Sequence, residues 1–163
     1  MSCKEKIPHL LLMLVLILAD QASKLLVVAA VPLGGTREVL PGFFRLWHVR
    51  NSGAVWGFLS GHDGSWVPKA ITMLAAVALA VVLYFFLRAG RHERLELLAY
   101  ALILGGALGN LIDRLRLGYV VDFLDVFVRS WHWPTFNVAD SGITLGVLLL
   151  ALTLLRRKPC TPS

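Results

Sequence analysis

Charge is scarce in this chain of 163 residues: Asp, Glu, Lys and Arg make up 16% of it, against roughly a quarter in an ordinary soluble domain. With a mean hydropathy of +0.71, that shortage argues against a water-soluble enzyme, a disordered chain and a fibrous one. Cysteine is nearly missing. Cys3 and Cys160 stand at opposite ends, so neither a disulfide framework nor a cysteine metal site is expected. The zinc-protease pattern H-E-x-x-H is absent, as are phosphate-cradling glycine loops and internal repeats. Serine chemistry lacks its base: Ser23, Ser52 and Ser141 have no catalytic histidine nearby. His9 and His92 belong to the opposite side of the membrane, and His48, His62 and His132 read as exposed or interfacial.

What the chain has in quantity is apolar residues, 57% of the total, gathered in four stretches. The first runs from Ile7 to about Leu33, interrupted by Asp20, Gln21, Ser23 and Lys24. The second, Ala70 to Leu87, holds 18 residues between Lys69 and Arg88. The third, Leu97 to Ile112, contains Asn110, and the fourth is Ser141 to Leu155. A bilayer core of roughly 30 Å takes about 20 residues of helix. Four membrane helices are therefore expected at about 8–30, 68–88, 95–113 and 138–156, joined by outer connections at about 31–67 and 114–137, in a single domain spanning 1–163. Lys4 and Lys6 ahead of an apolar run also resemble a signal peptide with Val28-Ala29-Ala30 as its cleavage site. Asp20 and Lys24 would interrupt that signal peptide, so a retained helix is the expectation.

The net charge of +6 admits nucleic acid or anionic lipid as a partner, until the charges are mapped. Half of the 16 basic residues lie in the N-terminal segment, the hinge Arg88–Glu96 and the C-terminal tail, with only Glu5, Glu93 and Glu96 of the ten acids. Basic residues in short flanks mark the cytoplasmic side, so both termini are expected there and nucleic acid is not. All five tryptophans, Trp47, Trp56, Trp66, Trp131 and Trp133, fall in the outer connections, as an interfacial belt or as an amphipathic surface for an acyl chain. The run Phe43–Val49 reads as one or two short strands.

The informative polar residues gather at one depth. Asp20 lies about 18 Å along the first helix and Lys24 about 24 Å, on one face. The third helix ends with Asn110, Asp113 and Arg114, the fourth begins with Asn137 and Asp140, and Asp122 and Asp125 lie between. Ionisable groups at membrane depth are costly and face a bundle interior or a cavity. Gly105, Gly106, Ala107 and Gly109 would let backbones approach closely around them. Two neighbouring carboxylates cannot both ionise easily, so one serves as acid while the other draws a proton from water. Spacing alone leaves the pair open among Asp113, Asp122, Asp125 and Asp140. Asp113 beside Arg114 also reads as a structural ion pair, Asp125 as a surface acid and Asp140 as a helix N-terminal residue.

Five segments in order, Asp20-Gln21-Ala22-Ser23-Lys24, Asn51-Ser52-Gly53-Ala54-Val55-Trp56, Gly105 to Arg114, Gly118-Tyr119-Val120-Val121-Asp122-Phe123 and Phe136-Asn137-Val138-Ala139-Asp140-Ser141, resemble the motifs of the bacterial lipoprotein signal peptidases (type II). The resemblance covers almost the whole chain. It implies an all-α membrane fold of four helices with a small extracytoplasmic β-cradle and an interfacial helix, in the cytoplasmic (inner) membrane with its active site facing outward. It implies an intramembrane aspartyl endopeptidase that cuts diacylglyceryl-modified prolipoproteins just before the lipidated cysteine. Asp122 and Asp140 would be its catalytic pair, supported by Asp20, Lys24, Asn51, Gly53, Asn110, Arg114 and Asn137. In this reading Asn51, Arg114 and Asn137 orient substrate backbone or lipid ester, and Asp20 with Lys24 holds the outer half together. Substrate lipoprotein and membrane lipid are the expected partners, a monomer is the default state, and no cofactor or metal is implied. Ser52, where threonine is frequent, and the run Trp56-Gly57-Phe58 depart from the usual pattern, the latter with a bearing on pocket shape. A four-helix ion or proton carrier is the main alternative, but the inner half is almost free of titratable groups; a non-cleaving relative would not need both aspartates.

Overall fold

The computed structural model describes residues 6–53, 66–90 and 92–156. Its order is α1 (Ile7–Ala30), β1 (Thr36–Leu40), β2 (Phe44–Asn51), α2 (Val67–Arg88), α3 (Arg94–Leu117), β3 (Val120–Val128), β4 (Trp131–His132) and α4 (Val138–Arg156). All four helices are long and apolar enough to cross a membrane, and the strands form one antiparallel sheet in the order β1-β2-β3-β4. The expected four-helix membrane architecture with a small sheet therefore stands. The segment expected to form an interfacial helix includes residues 54–65, which with Trp56 and both cysteines lie outside the described residues.

Local chemistry sets the ends. Prolines occupy the first turns of α1 and α2, where a missing N–H costs nothing. Helix α3 runs to Leu117, past the point near 113 where its charges suggested an interface. It stops at Gly118, whose φ of 80° closes the helix in the left-handed region. Arg114 and Arg116 in its last turn complement the negative end of the helix dipole.

Helix α3 is the centre of the bundle, packing against α1, α2 and α4. Its buried face is rich in small residues (Ala99, Ala101, Gly105, Gly106, Gly109), whereas α2 buries only Phe86 and turns the rest of its apolar surface outward. That inversion fits a lipid solvent, in which small residues let helix backbones approach and large apolar ones face the chains. The approach is closest at Gly106, where a Cβ would collide with the Ala139 carbonyl of α4; at Gly109 a Cβ would lie 2.7 Å from Asp20 Oδ2.

The sheet continues the bundle. Val27 and Val31 at the end of α1 form a second core with Phe123 of β3, flanked by Leu46, Leu124 and Val138. His48, expected at the surface, is buried and makes a 2.9 Å hydrogen bond through Nδ1 to the Val31 carbonyl. It locks β2 onto the end of α1, satisfying a backbone group left over where the helix stops. Strand β3 falls within a segment read from sequence only as a connection. Its run Val120-Val121-Asp122-Phe123-Leu124-Asp125-Val126-Phe127-Val128 carries the β-branched and aromatic enrichment of a strand.

Candidate active site

Helix α4 begins with a reciprocal cap. Asn137 Oδ1 accepts the N–H of Asp140 at 2.9 Å, and Asp140 Oδ2 accepts the N–H of Asn137 at 3.2 Å. This is the capping-box geometry, with residues three apart satisfying each other's orphan groups. Asp140 is thus a first-turn residue, and its other oxygen is held from α3 by Asn110 Nδ2 at 2.7 Å.

Asp122 arrives from the sheet. It lies opposite Val49 in the β2–β3 pairing and is buried. Asn137 Nδ2 donates to its Oδ1 at 2.7 Å, and Asn51 Nδ2 at the end of β2 donates to its Oδ2 at 2.9 Å. Asn51 is itself fixed by the Gly53 N–H, 3.0 Å from its Oδ1. Burial raises the Asp122 carboxyl from its ordinary value to about 7, the nearby Asp140 adds to the rise, and the Asn51 and Asn137 hydrogen bonds with the Lys24 charge oppose it.

Beneath the two aspartates lies a buried hub. Lys24 Nζ contacts Asp20 Oδ2 at 2.8 Å, Asp113 Oδ2 at 2.8 Å and Asn110 Oδ1 at 3.0 Å, which uses all three ammonium protons. Each carboxylate then reaches onward. Asp20 Oδ1 accepts the N–H of Ala139 at 2.9 Å, and Asp113 Oδ2 accepts the N–H of Val121 at 3.2 Å. The hub therefore grips the backbone immediately before each candidate aspartate. Gln21 Nε2, not singled out from sequence, bridges Asp113 Oδ1 (2.9 Å), Asp20 Oδ2 (3.2 Å) and the Gly109 carbonyl (3.2 Å). Its place inside the Asp20–Lys24 segment was the available signal.

Asp122, Asp140, Asn51, Asn110 and Arg114 line a cavity of about 660 Å³ that continues past Phe136 and along α4 to Ile143 and Leu145. Arg114 Nη2 lies 3.4 Å from the Gly53 carbonyl, so the guanidinium closes one wall. Asn137 differs from the role expected for it. It is fully buried and spends its amide on Asp122, Asn110 and the Val121 carbonyl, which makes it a support for the aspartates rather than a surface for substrate.

Two acids also differ from their sequence reading. Asp113 is in an ion pair, but with Lys24 rather than its neighbour Arg114; adjacent helical residues point about 100° apart, so they do not face each other. Asp125 is fully buried, not a surface acid, and is held by Arg45 Nε at 2.6 Å and His132 Nδ1 at 3.0 Å. His132 stacks on Phe127. This cluster braces strands β2, β3 and β4 and does not line the main cavity.

Comparison with known proteins adds to this geometry. Residues 12–156 match the profile of the family described as Signal peptidase (SPase) II. The lipoprotein signal peptidase of Burkholderia thailandensis is 48% identical over 150 residues, covering 92% of this chain and 89% of that protein. That of Paraburkholderia phytofirmans is also 48% identical over 150 residues, with 92% and 86% covered. A bacterial membrane enzyme solved by the in meso method superposes with a TM-score of 0.82 at 32% identity, over 96% of this chain and 94% of the other. A second such structure gives 0.79 at 33% identity, with 93% and 94% covered.

Proposed function

The chain belongs to the signal peptidase II family, and from that premise we propose that Asp122 and Asp140 are the two carboxyls of an aspartyl endopeptidase. The protein is a multi-pass protease of the bacterial inner membrane that removes signal peptides from prolipoproteins. In the proposed reading the substrate carries diacylglycerol on its lipobox cysteine, and the cut falls just before that residue. Both termini face the cytoplasm, and the cavity opens toward the outer side.

One observation carries the assignment: Asn137 binds both carboxylates, Asp122 through its side-chain amide and Asp140 through its backbone N–H. A single buried residue thus holds the two acids together at a cavity wall. Burial and the neighbouring Asp140 raise the Asp122 carboxyl to about 7, so near neutrality the pair is available with one acid and one carboxylate, and its titration belongs to the pair. The ionised carboxyl takes a proton from a water molecule, whose oxygen adds to the scissile carbonyl carbon. The protonated carboxyl delivers its proton to the departing nitrogen as the C–N bond breaks. The signal peptide leaves with a new carboxyl group and the lipoprotein with a free amine on its lipidated cysteine. Arg114 and Asn51 face the same cavity and orient the scissile backbone or the lipid ester.

The test is cleavage of a diacylglyceryl-modified prolipoprotein by purified protein in detergent. Asp122→Asn and Asp140→Asn should each abolish it. Undiminished cleavage by either variant, or loss of wild-type activity to a chelator, would overturn the two-carboxyl reading.

A further inference from the structure

Asp122 lines a second cavity, of about 420 Å³, which Asp140 does not reach. Its walls come from the sheet side of the molecule: Trp47, Val49 and Arg50 of β2, and His132 and Trp133 across from them. The two cavities share Asn51, Asp122 and the segment Trp133-Pro134-Thr135, so they meet at a candidate catalytic carboxyl; beyond that common wall the larger follows α4 and the smaller follows β2.

That division matches the chemistry of the substrate class, and the inference rests on the reading in Proposed function. A lipidated precursor has three arms at the scissile bond. The signal peptide and the diacylglyceryl group are apolar and stay in the membrane. The segment after the cysteine is polar and leaves it. The larger cavity follows membrane helix α4 past Phe136, Ile143 and Leu145, a wall suited to the apolar arms. The smaller one runs over the strands, outside the helices.

Arg50 gives the smaller cavity a sign. Its guanidinium is held 4.7 Å from the centre of the Tyr119 ring, a cation–π contact that positions the charge without neutralising it. It is exposed and has no carboxylate partner among the described residues. His132 adds a group already turned toward the buried Asp125. Asp122, the acid on the shared wall, is half protonated near neutrality.

We propose that this second cavity is the subsite for the residues immediately following the lipidated cysteine, and that Arg50 makes it favour acidic over basic side chains there. The test uses three diacylglyceryl-modified lipobox peptides in detergent, identical except for Asp-Glu, Ser-Ser or Lys-Lys at the two positions after the cysteine. Wild-type kcat/KM should fall in that order, with about tenfold between the first and the last, the range expected for one or two partly exposed charge contacts. The difference should shrink as salt is raised. Arg50→Glu should reverse the order, Arg50→Gln should flatten it, and Arg50→Lys should keep its direction. Equal rates for all three peptides with wild-type protein would overturn the proposal, as would an order that Arg50→Glu and Arg50→Gln leave unchanged. Should the wild type cut none of the peptides, or Asp122→Asn cut them as well as the wild type does, the failure lies with the catalytic assignment instead.

Discussion

Replacing Lys24 with methionine keeps the length of the side chain and removes its charge. In the folded protein that charge is 2.8 Å from each of two carboxylates, Asp20 and Asp113. At an effective dielectric of about 20, each contact is worth roughly 6 kcal/mol of gross Coulomb attraction. Most of this offsets the cost of taking three charges out of water, so the gross figure is not the effect of the substitution. What the substitution leaves behind is two buried carboxylates without a counter-charge, and breaking a buried pair this way costs about 3–5 kcal/mol. For a chain of this size each kcal/mol moves the unfolding midpoint by about 2–4 °C, so Lys24→Met should lower it by roughly 6 to 20 °C. Thermal unfolding in detergent, followed by tryptophan fluorescence, measures this directly. Adding Asp20→Asn and Asp113→Asn to Lys24→Met removes the orphaned charges and should recover part of the loss. Cleavage should fall in Lys24→Met and stay low in the triple variant, because the amides hold the Ala139 and Val121 N–H groups less strongly than the carboxylates do. A midpoint within about 2 °C of wild type, with cleavage intact, would refute the idea that the hub holds the site.

Four more expectations follow from the same geometry. With the Asp122 carboxyl near 7, the acid member of the proposed pair is lost as pH rises, so kcat should decline through an alkaline limb close to that value; Asn51→Ala removes a hydrogen bond that favours the charged form and should move the limb upward while lowering kcat. The same raised value means the folded state holds a proton the unfolded chain has released between about 4 and 7, so this group's contribution to stability declines as pH rises through that window, and Asp122→Ala should flatten the slope of unfolding free energy against pH. Gly106→Ala should force α3 and α4 apart at the Ala139 carbonyl, costing about 1–3 kcal/mol and most of the activity; an unaltered melting curve would contradict the close packing. Asn137→Ala removes a helix cap worth about 1 kcal/mol, yet it should reduce kcat by more than a hundredfold with little change in KM, since the lost amide holds Asp122 rather than substrate.

How far the site was legible depended on what makes each residue unusual. Asp20 and Lys24 stand out because charge inside an apolar helix is expensive, and their spacing puts them on one face whatever surrounds them. Their contact at 2.8 Å follows from local geometry alone. The partner of Asp113 was not legible, since it depends on how α3 is rotated against α1 rather than on what is adjacent in sequence. Burial of Asp125 and His48 depends likewise on the sheet folding back over the end of α1. Strand β3 was missed for a different reason: its glycine-bounded, acid-interrupted run drew notice for its aspartates rather than for its β-branched residues. Asp140 was legible as a helix N-terminal residue, but only the three-dimensional structure shows that the side chain capping it, Asn137, is shared with Asp122.

The grip of Asp20 on the Ala139 N–H joins positions 119 residues apart, and this bears on how the protein is made. Helix α1 leaves the ribosome before α3 and α4 and carries Asp20 and Lys24 into the bilayer as an i, i+4 ion pair. The acceptor on Asp20 then waits for a backbone group of α4. Until α4 is inserted, neither Asn137 nor Asp140 is in place, and Asp122 has the Asn51 amide without that of Asn137. On the proposed two-carboxyl reading, a chain whose α4 is not yet inserted lacks one member of the pair, and the site is complete only once α4 is in place.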